Sequence, residues 1–363
     1  MTLDTALDTP PLARPRGKPV SYFEFWPDWL FYFPVAAHWI ALGLRHRGFM
    51  LPTAANPAIT AGGLCGESKC EILDQVRGPA RNLLARYTRV VAAPDGLATA
   101  EAARQAAAIE YPVVAKPDIG CNGTGVRLLR GCDDLARYLK AFPAGESIVL
   151  QEFVAEEGEA GIFYVRHPDE PVGRITSITL KHAPLVTGDG VSTLRQLVLA
   201  DPRAGRVPHL YLPRLAHRLH EVPRPGERVR LVFVGNHCKG SIFEDGSPLA
   251  TRALAASFER IARSMPDFHF GRIDVRFAAL SDLLHGAGFR IIEINGAGSE
   301  ATHVWDPRTT LCGAWLAQFQ HYGTAFRIGA ANRARGHRPC GLRAVYRLWR
   351  RQKRLMAAYP LND

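Results

Sequence analysis

The stretch over residues 270–295 constrains this chain more than any other, because it reads FGRIDVRF, a polar connection, then FRIIEIN. Side chains alternate faces along an extended strand, so Arg272, Asp274 and Arg276 share one face while Ile273, Val275 and Phe277 share the other. The same period places Glu293 with Asn295. If the two segments pair as neighbours, Asp274, Glu293 and Asn295 converge as hard oxygen ligands with Arg272 beside them. Mg²⁺ accepts one or two carboxylates completed by substrate oxygens, so the pattern suits a magnesium site that holds phosphates. The alternative is a hairpin with a solvated charged face, and the segment alone does not choose.

Composition narrows the context. A hydrophobic share of 47% and a charged share of 22% are those of an ordinary globular protein, and 363 residues suffice for two or three subdomains. The formal net charge of +11 favours anionic partners: nucleotides, nucleic acid or an anionic membrane. Much of the excess lies at the end, where residues 331–363 hold nine Lys or Arg before the single acid Asp363. Seven cysteines without a CxxC pair argue against a zinc site and a disulfide framework, and fit a reduced, cytoplasmic setting. The opening MTLDTALDTP has two acids and no early basic cluster, so no cleaved secretory signal is expected.

Residues 1–19 are polar and proline-rich, and an aromatic block follows. Its charge-free run over 29–44 is 16 residues long and contains Pro34 and His38, whereas a membrane-crossing helix needs about 20 apolar residues. The block suits a membrane surface, with Trp26, Trp29, Tyr32 and Trp39 in the interfacial zone and Arg45, His46 and Arg47 at headgroups. The competing reading packs these rings into the core. Residues 51–69 read as loop, and GESK as a helix start capped by Ser68 rather than as a ligand contact. An amphipathic helix is expected over 71–86, with others over 99–109, 132–141, 192–199 and 249–264. YPVVAK, GVRLL and SIVLQEFV read as strands of a small α+β subdomain, and a second sheet draws on 161–180, 228–243 and 271–295.

The strongest single motif is AKPDIGCNGTGV over 115–126. Lys116 ends a strand, and Gly120, Gly123 and Gly125 allow backbone N–H groups to approach an anion closely. The spacing is neither a P-loop nor the dinucleotide fingerprint, and Asn122-Gly123 is also a good hairpin turn.

In the order lysine, glycine loop, LQEFV, second lysine, GRIDVRF and IIEIN, the chain resembles the ATP-grasp superfamily, and within it the D-alanine:D-alanine ligases and related carboxylate-amine ligases. VTGDGVSTLRQL resembles a segment of cyanophycin synthetases. The resemblance spans about 81–307 and implies an α+β, ATP-grasp fold of two subdomains enclosing a nucleotide. It implies that Lys116 and Lys181 reach the phosphates and that the loop with Gly120, Gly123, Thr124 and Gly125 closes over them. Gln151, Glu152, Phe153 and Val154 resemble the adenine-binding hinge, and Glu159, ahead of Glu156 and Glu157, the acid on the ribose. Asp274, Glu293 and Asn295 resemble the ligands of Mg²⁺, two ions being expected and Mn²⁺ an alternative, and Arg272 the catalytic arginine at the reacting carbonyl. Arg230 and Lys239 are further candidates for phosphate or substrate.

Two departures fall on the substrate side. The ligases follow E-x-N with T-x-P-G, where this chain has Gly296 to Glu300, and they begin with an α/β substrate domain where this chain has its aromatic segment. The expected divisions are 1–78, an aromatic membrane-proximal segment; 79–155, the small ATP-grasp subdomain; 156–330, the large one with the metal site; and 331–363, a basic helical tail. The expected function is an ATP-dependent ligase joining a carboxylate and an amine, each a small molecule or a peptide- or lipid-linked group, through an acylphosphate. The expected place is the cytoplasm, peripheral at the inner face of the membrane. The alternative is an ATP-binding regulatory module with little catalysis. For the basic tail an anionic membrane ranks first and nucleic acid last.

Overall fold

The computed structural model describes residues 20–233 and 235–361. The expectations for residues 1–19, and Asp363, lie outside them.

The aromatic block folds as helix α1 (Asp28–Arg45), which runs through Pro34. One face is buried: Phe31 packs with Phe23, Trp305 and Ala314, while Leu42 packs with Leu51 and Phe326. Of the four rings expected at a membrane interface, only Trp29 is exposed; Trp26, Tyr32 and Trp39 are half-buried. Trp39 stacks edge-on against Tyr322 and Phe326 and donates its indole N–H to the Phe49 carbonyl at 3.0 Å. No helix of the described residues is long and apolar enough to cross a membrane.

Helix α2 (Lys69–Leu73) is capped by Ser68, whose hydroxyl accepts from the Glu71 N–H. The helix expected over 71–86 stops after this turn. Gly78 takes a left-handed φ of 59° and Pro79 has no amide hydrogen to donate, so the chain passes into a 3₁₀ segment, Gly78–Leu83.

The small subdomain holds β1 (Tyr87–Val91), α3 (Leu97–Ala106), β2 (Val113–Pro117), β3 (Arg127–Leu129), α4 (Cys132–Ala141) and β4 (Ser147–Glu152). Its sheet is antiparallel in the order β1-β4-β2-β3. Val113, Ala115, Ile148 and Leu150 pack with Leu135 and Leu139 of α4.

The larger unit is built on β5 (Gly158–Val165), β6 (Arg174–His182), β7 (Leu185–Thr187), α5 (Leu194–Ala200), β8 (Arg228–Arg230), β9 (Ile242–Asp245), α6 (Arg252–Arg263), β10 (Phe270–Phe277), α7 (Leu280–Leu284), β11 (Phe289–Asn295) and α8 (Leu311–Ala334). Five strands form an antiparallel sheet ordered β11-β10-β5-β6-β9, and β7 pairs with β8 apart from it. Alternation sorts the side chains: Ile162, Ile273 and Val275 meet Leu254, Phe258 and Ile261 of α6, while Phe163, Val165 and Phe270 meet Ala325 and Ile328 of α8.

The expected boundary at residue 330 falls inside α8, and the last helix, α9 (Leu342–Ala358), is not a separate tail. Leu355 and Tyr359 enter the core of the small subdomain, and Tyr359 stacks on Phe142. Burying a leucine side chain is worth roughly 1.5–3 kcal/mol, enough to hold one face of this basic helix against the protein.

Candidate active site

A cavity of about 500 Å³ lies between the two sheets, and both sheets contribute charged side chains to it. On the larger sheet β10 and β11 pair antiparallel with Arg272 opposite Asn295 and Asp274 opposite Glu293. Directly opposed residues share a face, so all four point into the cavity together. Asp274 accepts from Arg272 Nε at 2.8 Å and Nη2 at 3.2 Å, with Lys181 Nζ at 3.4 Å and Asn295 Nδ2 at 3.5 Å. Burial alone would raise its carboxyl, but Arg272 and Lys181 hold it below the usual carboxylate range. The room for this pair comes from Gly161 on β5, opposite Asp274: a Cβ there would stand 2.8 Å from both Arg272 Cδ and Asp274 Oδ1.

The register of β10 and β11 slips after Asp274, which next pairs Val275 with Ile291 and leaves Ile292 unopposed. The Ile292 carbonyl accepts from Lys116 Nζ at 2.9 Å and from Gln151 Nε2 at 3.2 Å, and Lys116 also donates to Gln151 Oε1 at 3.0 Å. A bulge on one sheet thereby anchors the lysine of the other. Burial lowers the Lys116 ammonium from its ordinary value.

Lys181 on β6 lies opposite Glu159 on β5, which in turn lies opposite Arg276 on β10. Glu159 accepts from Lys181 at 2.9 Å and from Arg276 at 3.4 Å. Burial would raise its carboxyl, but Lys181 and Arg276 bring it below the usual range. Its oxygens are therefore committed to cations, while Glu156 is exposed and Glu157 is half-buried outside the cavity.

The glycine loop joins β2 to β3 with Asn122 at φ 55° and Gly123 at φ 66°, the left-handed pair that an Asn-Gly hairpin turn requires. It faces the cavity through Gly120, Gly123 and Thr124. It is held by Lys69 Nζ, from the cavity wall, on the Gly120 carbonyl (2.6 Å), by Tyr138 Oη on the Gly125 carbonyl (2.8 Å) and by Tyr359 Oη on the Ile119 carbonyl (2.7 Å). Strand β4 ends at Glu152, and Phe153 and Val154 continue along the cavity as extended chain. Among the described residues, no backbone partner takes the N–H of either. Arg276 Nη1 donates to the Val154 carbonyl at 2.9 Å, fixing this crossing between the subdomains.

Several cavity residues escaped the sequence reading. GESK caps α2 through Ser68, and it also sends Glu67 and Lys69 to the cavity wall. Glu67 Oε2 is buried with no hydrogen-bond partner among the described residues; burial raises its carboxyl, Lys69 opposes the rise and Glu293 adds to it. From α1, Asp28 and Tyr32 reach in, and Tyr32 Oη donates to Glu300. Glu300 also accepts from Trp305 Nε1 at 3.4 Å and Gln318 Nε2 at 3.5 Å, and its backbone carbonyl accepts from Arg272 Nη1 at 3.2 Å. Burial raises its carboxyl. Arg230 is turned away, donating to the Val232 and Phe233 carbonyls at 2.9 and 3.2 Å, and Lys239 does not line the cavity.

No group of three or more His, Cys, Asp or Glu side chains among the described residues is placed to hold a metal. Two carboxylates and one amide on adjacent strands, with the orphaned Glu67 oxygen nearby, make an open set that fits a cation completing its shell with substrate oxygens.

Two antiparallel sheets thus face each other across a cavity in an α+β fold, each with a buried lysine, one with a glycine loop and the other with the Arg-x-Asp and Glu-x-Asn pair. No protein-family model and no curated protein matches the chain. Among solved structures it is similar to a bifunctional glutathione synthetase from Pasteurella multocida, at 17% identity and TM-score 0.35, over 69% of this chain but only 36% of that one. It is also similar to a D-cycloserine synthetase, at 14% identity and TM-score 0.40 over 73% and 70% of the two chains. A third is a carboxyaminoimidazole ribonucleotide synthase from Aspergillus clavatus complexed with ATP, at 11% identity and TM-score 0.37 over 65% and 45%.

Proposed function

We propose that the protein is an ATP-dependent carboxylate-amine ligase that works through an acylphosphate and releases ADP and phosphate. The observation that carries this reading is the meeting of Lys116, Lys181, the glycine loop, Arg272 and the Asp274, Glu293 and Asn295 set around one cavity. Joining a carboxylate to an amine is uphill in water, and phosphorylating the carboxylate supplies a leaving group. Lys116 and the loop amides suit the phosphates as point charge and backbone donors. The N–H groups of Phe153 and Val154, without a backbone partner among the described residues, suit the acceptor edge of adenine. Asp274, Glu293 and Asn295 would hold Mg²⁺, which when bound supplies charge neutralisation at the transferred phosphoryl group.

The carboxylate oxygen attacks the γ-phosphorus as the bond to ADP breaks. The ammonium gives one proton to solvent; the free amine then attacks the acyl carbon, the bond to the phosphate oxygen breaks, and the second N–H proton leaves with the phosphate. Arg272, fixed by Asp274 and the Glu300 carbonyl, would stabilise the oxyanion between these events. Glu300 lies beside it with Tyr32 and suits an arriving ammonium. The acceptor side would therefore be built by α1 and the 296–300 turn.

The test is phosphate release from ATP and Mg²⁺ over a panel of carboxylates and amines. Release that requires both partners, and is abolished by Asp274→Ala or Glu293→Ala, is the expected result. Production of AMP and pyrophosphate would overturn the acylphosphate route, and nucleotide binding without turnover on any pair would favour the regulatory module. Glu300→Gln should raise KM for the amine about tenfold, the worth of one charge-assisted contact, with kcat little changed.

A further inference from the structure

We propose that the outer faces of α1 and α9 form one docking surface for an anionic lipid bilayer. Helix α1 has a buried face and an outer one, and the outer one is apolar: Trp29 is 72% exposed, Phe33 71%, Ile40 54% and Leu44 66%. Their spacing sets them in one stripe along the helix. Large apolar side chains lined up in solvent mark an interaction surface. Helix α9 continues it. Its inner face holds Leu355 and Tyr359 in the core, while Leu342, Tyr346 and Trp349 point outward at 68%, 54% and 41% exposure. Phe49, just beyond the end of α1, and Leu342, at the start of α9, line a common apolar groove with Trp39, Leu51 and Pro339.

Charge decides what covers this surface. Arg45 ends α1, and Arg343, Arg347, Arg350, Lys353 and Arg354 are exposed on α9. None of these six has a carboxylate within ion-pair distance among the described residues, whereas Arg351 reaches back to Glu146 at 3.0 Å. Lys353 lies over the Trp349 ring at 4.6 Å and Arg350 over Tyr346 at 6.0 Å, so cation and aromatic sit side by side as the headgroup zone of a bilayer requires. A second copy would bring the same uncompensated positive charge to the contact, and a nucleic acid would leave the α1 stripe in water. An anionic bilayer satisfies both components.

The experiment is sedimentation of the full chain with vesicles of phosphatidylcholine containing about one third phosphatidylglycerol, and with phosphatidylcholine alone, at low and high salt. Strong binding to the anionic vesicles, weakened by salt and at least tenfold weaker on phosphatidylcholine alone, is expected. Trp29→Glu with Phe33→Glu, and separately Arg343→Glu with Arg347→Glu, should each weaken binding at least tenfold while leaving the melting temperature unchanged, since all four side chains are exposed. No binding to anionic vesicles, or binding that neither pair of substitutions weakens, overturns the proposal. Self-association in solution that Trp29→Glu abolishes would overturn it too, by assigning the surface to a second copy.

Discussion

The two buried lysines of the cavity sit in opposite electrostatic settings. Lys181, on the larger sheet, touches two carboxylates, Glu159 at 2.9 Å and Asp274 at 3.4 Å, and these raise its ammonium above the ordinary value although burial alone would lower it. Lys116, on the small sheet, donates to a carboxamide and a backbone carbonyl, both neutral, and burial lowers it. Lys181 is thus part of a closed charge network with Glu159, Arg276, Asp274 and Arg272. Among the described residues, Lys116 has no carboxylate at hydrogen-bonding distance, although Glu293 and Asp274 act on it from farther off. The difference teaches which lysine is neutralised by folding and which is left for a ligand: a buried cation held by neutral acceptors is preorganised for an anion.

Replacing each lysine tests the comparison, and the largest effect belongs to Lys181. Lys181→Met leaves Glu159 to Arg276 and Asp274 to Arg272 and should cost about 1.5–3 kcal/mol, the worth of a hydrogen bond to a charged group, read as the shift in urea midpoint. Lys116→Met should change stability by no more than about 1 kcal/mol, because the lost hydrogen bonds are offset by no longer burying an unpaired charge. Equal costs would collapse the distinction. The same Lys116→Met variant should bind ATP-Mg²⁺ roughly 10–100-fold more weakly by calorimetry, the worth of one or two charge-assisted contacts; unchanged affinity would remove Lys116 from the phosphate site. Gln151→Ala sharpens the point, since it frees the lysine without deleting it, and about a fivefold loss of affinity is expected.

The smallest effect is in the pH dependence. A lysine lowered on folding costs stability while pH is below its folded value, and that cost fades as pH rises toward the unfolded value of 10.5. A lysine raised on folding contributes fully below 10.5 and loses its contribution only as pH climbs through the folded value. Between neutral pH and 10.5, wild type should therefore gain stability relative to Lys116→Met, while its margin over Lys181→Met stays level. Stepwise urea titrations of the ligand-free proteins measure both.

Much of this was legible locally. The period of two in FGRIDVRF and FRIIEIN placed Arg272, Asp274, Glu293 and Asn295 on one face, because strand geometry leaves no other arrangement once the two segments pair. Asn122-Gly123 and the Ser68 cap were likewise readable from short-range backbone preferences. What was not readable depends on contacts between distant segments. Glu159 resembles in sequence the acid on the ribose, and its place as the bridge between Lys181 and Arg276 comes from two strand registers that no single segment reveals. Gln151 stood among hinge residues, yet its side chain tethers Lys116. The helix expected over 71–86 failed where apolar spacing was given more weight than Gly78 and Pro79.

By itself, then, the sequence determined many of the elements, the α+β class and the shared face of Arg272, Asp274, Glu293 and Asn295, since alternation, turn chemistry and capping act over a few residues. Only the tertiary structure decided how those charges are shared. It brought the Ile292 bulge under Lys116, turned Tyr32 inward to Glu300, and split the aromatic helix and the basic helix each into a buried and an exposed face. The physical reason is range: a strand's period is a property of its own backbone, whereas burial and the partner of a charge are set by segments that meet only when the chain has closed around its core.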